Sequence, residues 1–123
     1  MSWSCRLAAL LVLLLPAATV AAGSFDGKYG GPRTVLRGSP PTCPAEGNTA
    51  WTVTDSRITL PFFATSVSAD VGADGSFQTS FRYQVVARGM PGNGTLKGLI
   101  SGGTLTADFE TGACQMHYVL KKQ

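Results

Sequence analysis

The sequence is short of the residues that most often carry catalysis. It has one histidine, His117, and only seven Asp and Glu residues, spread over separate segments. A lone histidine specifies neither a Ser/His/Asp arrangement nor a metal-ligand cluster. Charged residues make up 14% of the chain and the basic ones are scattered, which argues against a nucleic-acid or anionic-membrane patch. After residue 22 no apolar run exceeds the length of a strand, and no stretch repeats at amphipathic helical spacing. Cysteine is scarce as well, three in all, too few for a zinc site once Cys5 is set apart. The glycine pairs at 30–31 and 102–103 have no phosphate-loop context, and no cofactor or metal is expected.

The one long apolar run, Leu7 to Leu15, belongs to a secretory leader in form: Arg6 precedes it, Pro16 breaks it, and Val20-Ala21-Ala22 offers small residues for cleavage before Gly23. A signal peptide over 1–22 leaves a single domain over 23–123. With Cys5 removed, Cys43 and Cys114 are an even pair in an exported chain, which predicts one disulfide. Nine Lys and Arg then face seven Asp and Glu.

What is abundant is strand and turn chemistry: 15 glycines with many Thr, Ser, Val and Phe. A Gly102-Gly103 hairpin pairs Ile100 with Leu105, Gly98 with Ala107 and Leu96 with Phe109 on one face. The other face sets Lys97 opposite Asp108 and Thr95 opposite Glu110. A Thr111-Gly112 turn sets Phe109 against Cys114, Ala107 against Met116 and Leu105 against Tyr118. Asp55-Ser56 pairs Val53 with Ile58 and Trp51 with Leu60, and Ala64-Thr65 pairs Phe62 with Val67 and Leu60 with Ala69. A three-residue loop at Ala73-Asp74-Gly75 pairs Val71 with Phe77, Ala69 with Thr79 and Val67 with Phe81. The expectation is all-β: eight antiparallel strands near 24–37, 49–54, 57–63, 66–71, 76–87, 95–101, 104–110 and 113–121. They form an up-and-down meander closed as a small barrel by pairing of the first and last strands, with a two-layer β-sandwich as the alternative.

The same topology gathers the longer connections, 38–48 and 88–94, at the end that carries Cys43 and Cys114. Loops carry function on such scaffolds, so Pro41, Glu46 and Asn48, with Met90, Pro91 and Asn93, are the candidate binding residues. Met90 and Pro91 read as an apolar loop tip, and Asn93-Gly94-Thr95 is a glycosylation acceptor pattern. On the outer face Arg82, Lys97, Asp108 and His117 form a candidate polar group in which His117 neighbours Thr106, then Leu99, then Arg82. The inward aromatics, Phe25, Tyr29, Trp51, Phe62, Phe77, Phe81, Tyr83, Phe109 and Tyr118, fill the core or line a pocket for a small apolar ligand. Nothing in the spacing of Asp26, Glu46, Asp70 and Glu110 brings two carboxyls together for acid/base work.

The assembled pattern runs from Phe25-Asp26-Gly27-Lys28-Tyr29-Gly30-Gly31 through Cys43, Asp74-Gly75-Ser76-Phe77 and Leu96 to Asp108, then to Cys114 and a basic end. It resembles a group of small exported single-disulfide β-proteins of proteobacteria. The resemblance implies a periplasmic location and carries no functional residues across. The resulting expectation is a non-enzymatic periplasmic or secreted binding protein without a membrane span. It would contact a protein partner in the cell envelope through the disulfide end, an envelope-associated inhibitor being one form. The alternative is a carrier of a small apolar ligand inside the barrel.

Overall fold

Strict alternation of apolar and polar residues dictates strands almost throughout, and strands form. The computed structural model describes residues 24–63, 65–85 and 90–123. Eight antiparallel strands build one nearly closed barrel-shaped sheet, without helix among these residues: β1 (Gly27–Arg37), β2 (Gly47–Thr54), β3 (Arg57–Phe62), β4 (Thr65–Asp70), β5 (Ser76–Val85), β6 (Met90–Ser101), β7 (Thr104–Thr111) and β8 (Gln115–Lys122). The leader assigned to 1–22 lies outside the described residues, as do Ala64 and the connection 86–89.

The strand order is β4-β3-β2-β1-β8-β7-β6-β5. The first and last strands pair, as expected, and do so in the middle of the sheet, where Gln123 N also donates to Lys28 O at 2.8 Å. The gap in the barrel falls instead between β4 and β5. The ladder expected there, Val71 with Phe77 and its continuation, does not form; Gly72 N donates to Ser76 O at 2.8 Å at the foot of the hairpin, and the strands then run on without pairing.

Two hairpins keep the expected parity with a register two residues away. β3 pairs Leu60 with Val67 and Ile58 with Ala69, and β7 pairs Phe109 with Met116, Ala107 with Tyr118 and Leu105 with Leu120. A slip of two leaves every side chain on its own face, so turn geometry decides. At the first hairpin Phe63 takes the left-handed conformation, φ 52°; at the second the turn is centred one residue later, on Gly112-Ala113, Thr111 N donating to Cys114 O at 2.7 Å. The Gly102-Gly103 and Asp55-Ser56 hairpins have the expected registers. Asp55 and Ser56 both have positive φ, and the Asp26 carboxylate accepts from both of their backbone N–H groups at 2.7 and 3.0 Å.

Inside, Tyr29, Trp51, Phe62, Phe77, Tyr83, Phe109 and Tyr118 are buried with aliphatic residues of β2, β3, β4, β6, β7 and β8. Each apolar side chain so enclosed stabilises by about 1.5–3 kcal/mol. On β5 and β6 the rings are accommodated by glycine: Phe77 is opposite Gly98, Phe81 opposite Gly94 and Tyr83 opposite Gly92. A methyl group at Gly94 would lie 2.3 Å from Cζ of Phe81, so ring and glycine are mutually required. Phe62 reaches across from β3 to Phe81 and Tyr83, with ring centroids 6.1 and 5.3 Å apart, and packs on Phe109 at 4.6 Å. The rings thus close the interior where the backbone ladder is missing.

The disulfide joins Cys43 and Cys114 across 71 residues, both side chains buried, and ties the 38–46 loop to the turn before β8. Beside it β1 carries a bulge between Val35 and Arg37, where Leu36 is the extra residue.

Candidate functional site

Pleating sends alternate residues of β5 to β8 and β1 outward, and cross-strand register arranges them in two rows. The first runs Gln78, Lys97, Asp108, His117, Thr34. Here His117 faces Asp108, not Thr106, a consequence of the two-residue register difference. Asp108 Oδ1 and His117 Nδ1 are 2.8 Å apart. Lys97 does stand opposite Asp108 in the ladder, yet no ion pair joins them within 4.0 Å among the described residues, because the carboxylate turns to the histidine. This row forms part of an open groove of about 600 Å³ that Asp70, Leu99 and Thr106 also line.

The second row runs Ser80, Thr95, Glu110, Gln115, Arg37, nearer the disulfide. Arg37 is held in place: it donates to the carbonyl oxygens of Gly112 and Thr111 at 2.7 and 3.0 Å and lies 3.6 Å from Glu110. Just beyond this row Arg82 stands opposite Asn93. An open groove of about 500 Å³ runs over Arg37, Ser80, Arg82, Asn93, Thr95 and Glu110. Arg82 makes no hydrogen bond or ion pair among the described residues, which leaves it a cation without a partner in that groove.

The expected loop residues are redistributed. Pro41 is exposed in the 38–46 loop, and Glu46 ends that loop with Oε1 accepting from Val35 N at 3.2 Å. Asn48 is a β2 residue opposite Pro32. Met90, Pro91 and Asn93 are not loop residues: β6 starts at Met90 and pairs Met90, Pro91, Gly92 and Asn93 with Val85, Gln84, Tyr83 and Arg82. Asn93 of the expected loop and Arg82 of the expected outer face are therefore neighbours, while Arg82 and His117 lie in different rows.

The carboxylates take up structural duties. Asp26 caps the 55–56 turn, Asp70 lies 3.5 Å from Arg57, and Asp74 accepts from the backbone N–H and hydroxyl of Ser76 at 3.0 and 2.7 Å. The Ser76 bonds hold the Asp74 carboxyl below its ordinary value. Burial pushes the Tyr118 phenol up to about 12, and burial followed by the nearby Asp26 charge raises Tyr29. Among the described residues no three metal-ligating side chains cluster and no buried side-chain polar atom lacks a partner.

Two exposed apolar residues escaped the pattern reading. Phe63 is 49% and Leu36 57% exposed, and both lie at the disulfide end. Their signal was in the sequence as the doublets Phe62-Phe63 and Val35-Leu36, since one member of an apolar pair in a strand must face outward. Leu99, 44% exposed, stands apart in the first groove. No protein-family model, curated protein or solved structure matches the chain.

Proposed function

We propose that this chain is an exported, non-enzymatic binding protein that engages a protein partner in the cell envelope through its disulfide end. The observation that carries the reading is the coincidence, at that end, of the groove holding the unpaired Arg82 with the exposed rings and branches of Phe63 and Leu36. Aromatic and arginine side chains are the groups most enriched where protein partners anchor. The disulfide is compatible with an oxidising compartment. The carrier reading draws less support, because the inward rings contact one another and the glycines rather than facing a void. An inhibitor is one form that such a binding protein takes.

Photo-crosslinkers placed at 36, 63 and, as a control at the other end, 73 test this in the protein's own source. A single protein species crosslinked from 36 and 63 and absent from 73 is the expected result. Equal labelling from both ends, or a small molecule co-purifying by native mass spectrometry, would count against it.

A further inference from the structure

The gap in the barrel leaves one edge of β5 without a ladder partner among the described residues, and backbone alternation says which groups it presents. Gly75 O accepts from Ile100 N at 2.9 Å, on the β6 side, whereas Ser76 O accepts from Gly72 N, on the gap side. Successive residues in a strand direct their N–H and C=O groups to opposite sides. The backbone groups of Phe77, Thr79, Phe81 and Tyr83 thus serve β6, and those of Gln78, Ser80, Arg82 and Gln84 point into the gap.

Natural edges are blunted by short length, proline, bulges or several charges. None of these protects β5. The strand is 10 residues long, SFQTSFRYQV, contains no proline, pairs with β6 without a register shift, and has Arg82 as its one charged residue. On the edge strand itself Phe81 is the half-buried ring of the aromatic cluster that remains in reach of water. On the outer side stands the unpaired guanidinium of Arg82.

We propose that the free edge of β5 receives an extended segment of the partner protein by strand addition, and that this segment alternates acidic and apolar residues. The main chain would pair with the gap-facing groups of 78–84. Alternation would then send every second side chain inward, against Phe81, and the others outward beside Arg82. Charge complementarity selects the acidic partner: of the two arginines in the groove, Arg37 is committed to Glu110 and two carbonyls, so Arg82 is the one left for an incoming carboxylate. This rests on the binding-protein reading above and gives it a site and a chemistry.

The probes are two blocked octapeptides, one alternating Glu and Val, the other Lys and Val, added to the folded, disulfide-bonded chain. The Glu/Val peptide should slow amide exchange at Gln78, Ser80 and Arg82, and bind at least about tenfold more tightly than the Lys/Val peptide, one charge reversal at a close pair being worth that much. Ser80→Pro removes a gap-facing N–H without touching the β6 ladder and should weaken binding about tenfold; Arg82→Glu should invert the preference between peptides. Unchanged exchange at 78–82, equal binding of both peptides, or a dimer of this chain that Ser80→Pro dissolves would each overturn strand addition by an acidic partner. If Ser80→Pro leaves the crosslinks from 36 and 63 intact, the edge proposal falls and the binding reading stands.

Discussion

At the scale of single residues, the barrel wall depends on glycines whose job is to be covered. A Cβ at Gly98 would lie 2.3 Å from Thr106 O and 2.4 Å from Cζ of Phe77, whereas nothing lies within 4 Å of one at Gly112. Gly98→Ala should therefore cost about 1–3 kcal/mol in denaturant unfolding, and Gly112→Ala should stay within about 0.5 kcal/mol. Tyr118 sets an alkaline limit. Below pH 10 its phenol is protonated in both folded and unfolded chains and its contribution is fully present. Between 10 and about 12 the unfolded chain loses the proton and the folded chain keeps it, so stability falls as pH rises. The loss should reach about 2–3 kcal/mol by pH 12. Comparing wild type with Tyr118→Phe at pH 9 and 11.5 checks it, since the variant should lose less. Of the outer-face residues, Lys97 and Asp108 were legible as neighbours, but the contact of His117 Nδ1 with the accepting Asp108 carboxylate was not, because it depends on the register of a turn.

At the scale of elements, strands were easier to read than the pairing between them. Parity of apolar residues separates inside from outside along Phe77, Thr79, Phe81 and Tyr83, and it yields the β6–β7 register directly because Gly102-Gly103 permits one tight turn. Parity is blind to slips of two, which is why β3–β4 and β7–β8 differ from expectation. It is equally blind to whether a ladder forms at all, and the unpaired β4–β5 seam could not be read from Val71 and Phe77. The start of β6 was missed for another reason: Pro91, Gly92 and Gly94 are turn residues by composition, yet their glycines are needed beneath Tyr83 and Phe81. The backbone alternation of β5 makes its own prediction. Thr79→Pro deletes a bond to β6 and should cost about 3 kcal/mol or more, while Ser80→Pro, at the free edge, should cost about 1 kcal/mol. Paired thermal melts of the two variants decide it, and equal losses would contradict the assignment of gap-facing groups.

At the scale of the whole molecule, the disulfide and the central β1–β8 pairing hold the chain's two halves together. Replacing both Cys43 and Cys114 by Ser should lower stability by about 4 kcal/mol on the chain-entropy account of a 71-residue separation, read as a lowered denaturation midpoint. The pairing of the first and last strands has a further meaning. β1 to β4 and β5 to β8 are each a run of consecutive hairpins, and among the described residues the two runs share a strand ladder only through the strands at opposite ends of the sequence. The architecture is a plain meander cut at its middle and respliced at its edges. Joining residue 123 to residue 24 and opening the chain at Ala73-Asp74 would give a circular permutant in which every paired strand follows its neighbour in sequence. Its mean contact separation would be shorter, and it should fold faster than the natural order. The present chain must instead wait for β8 before the centre of its sheet exists.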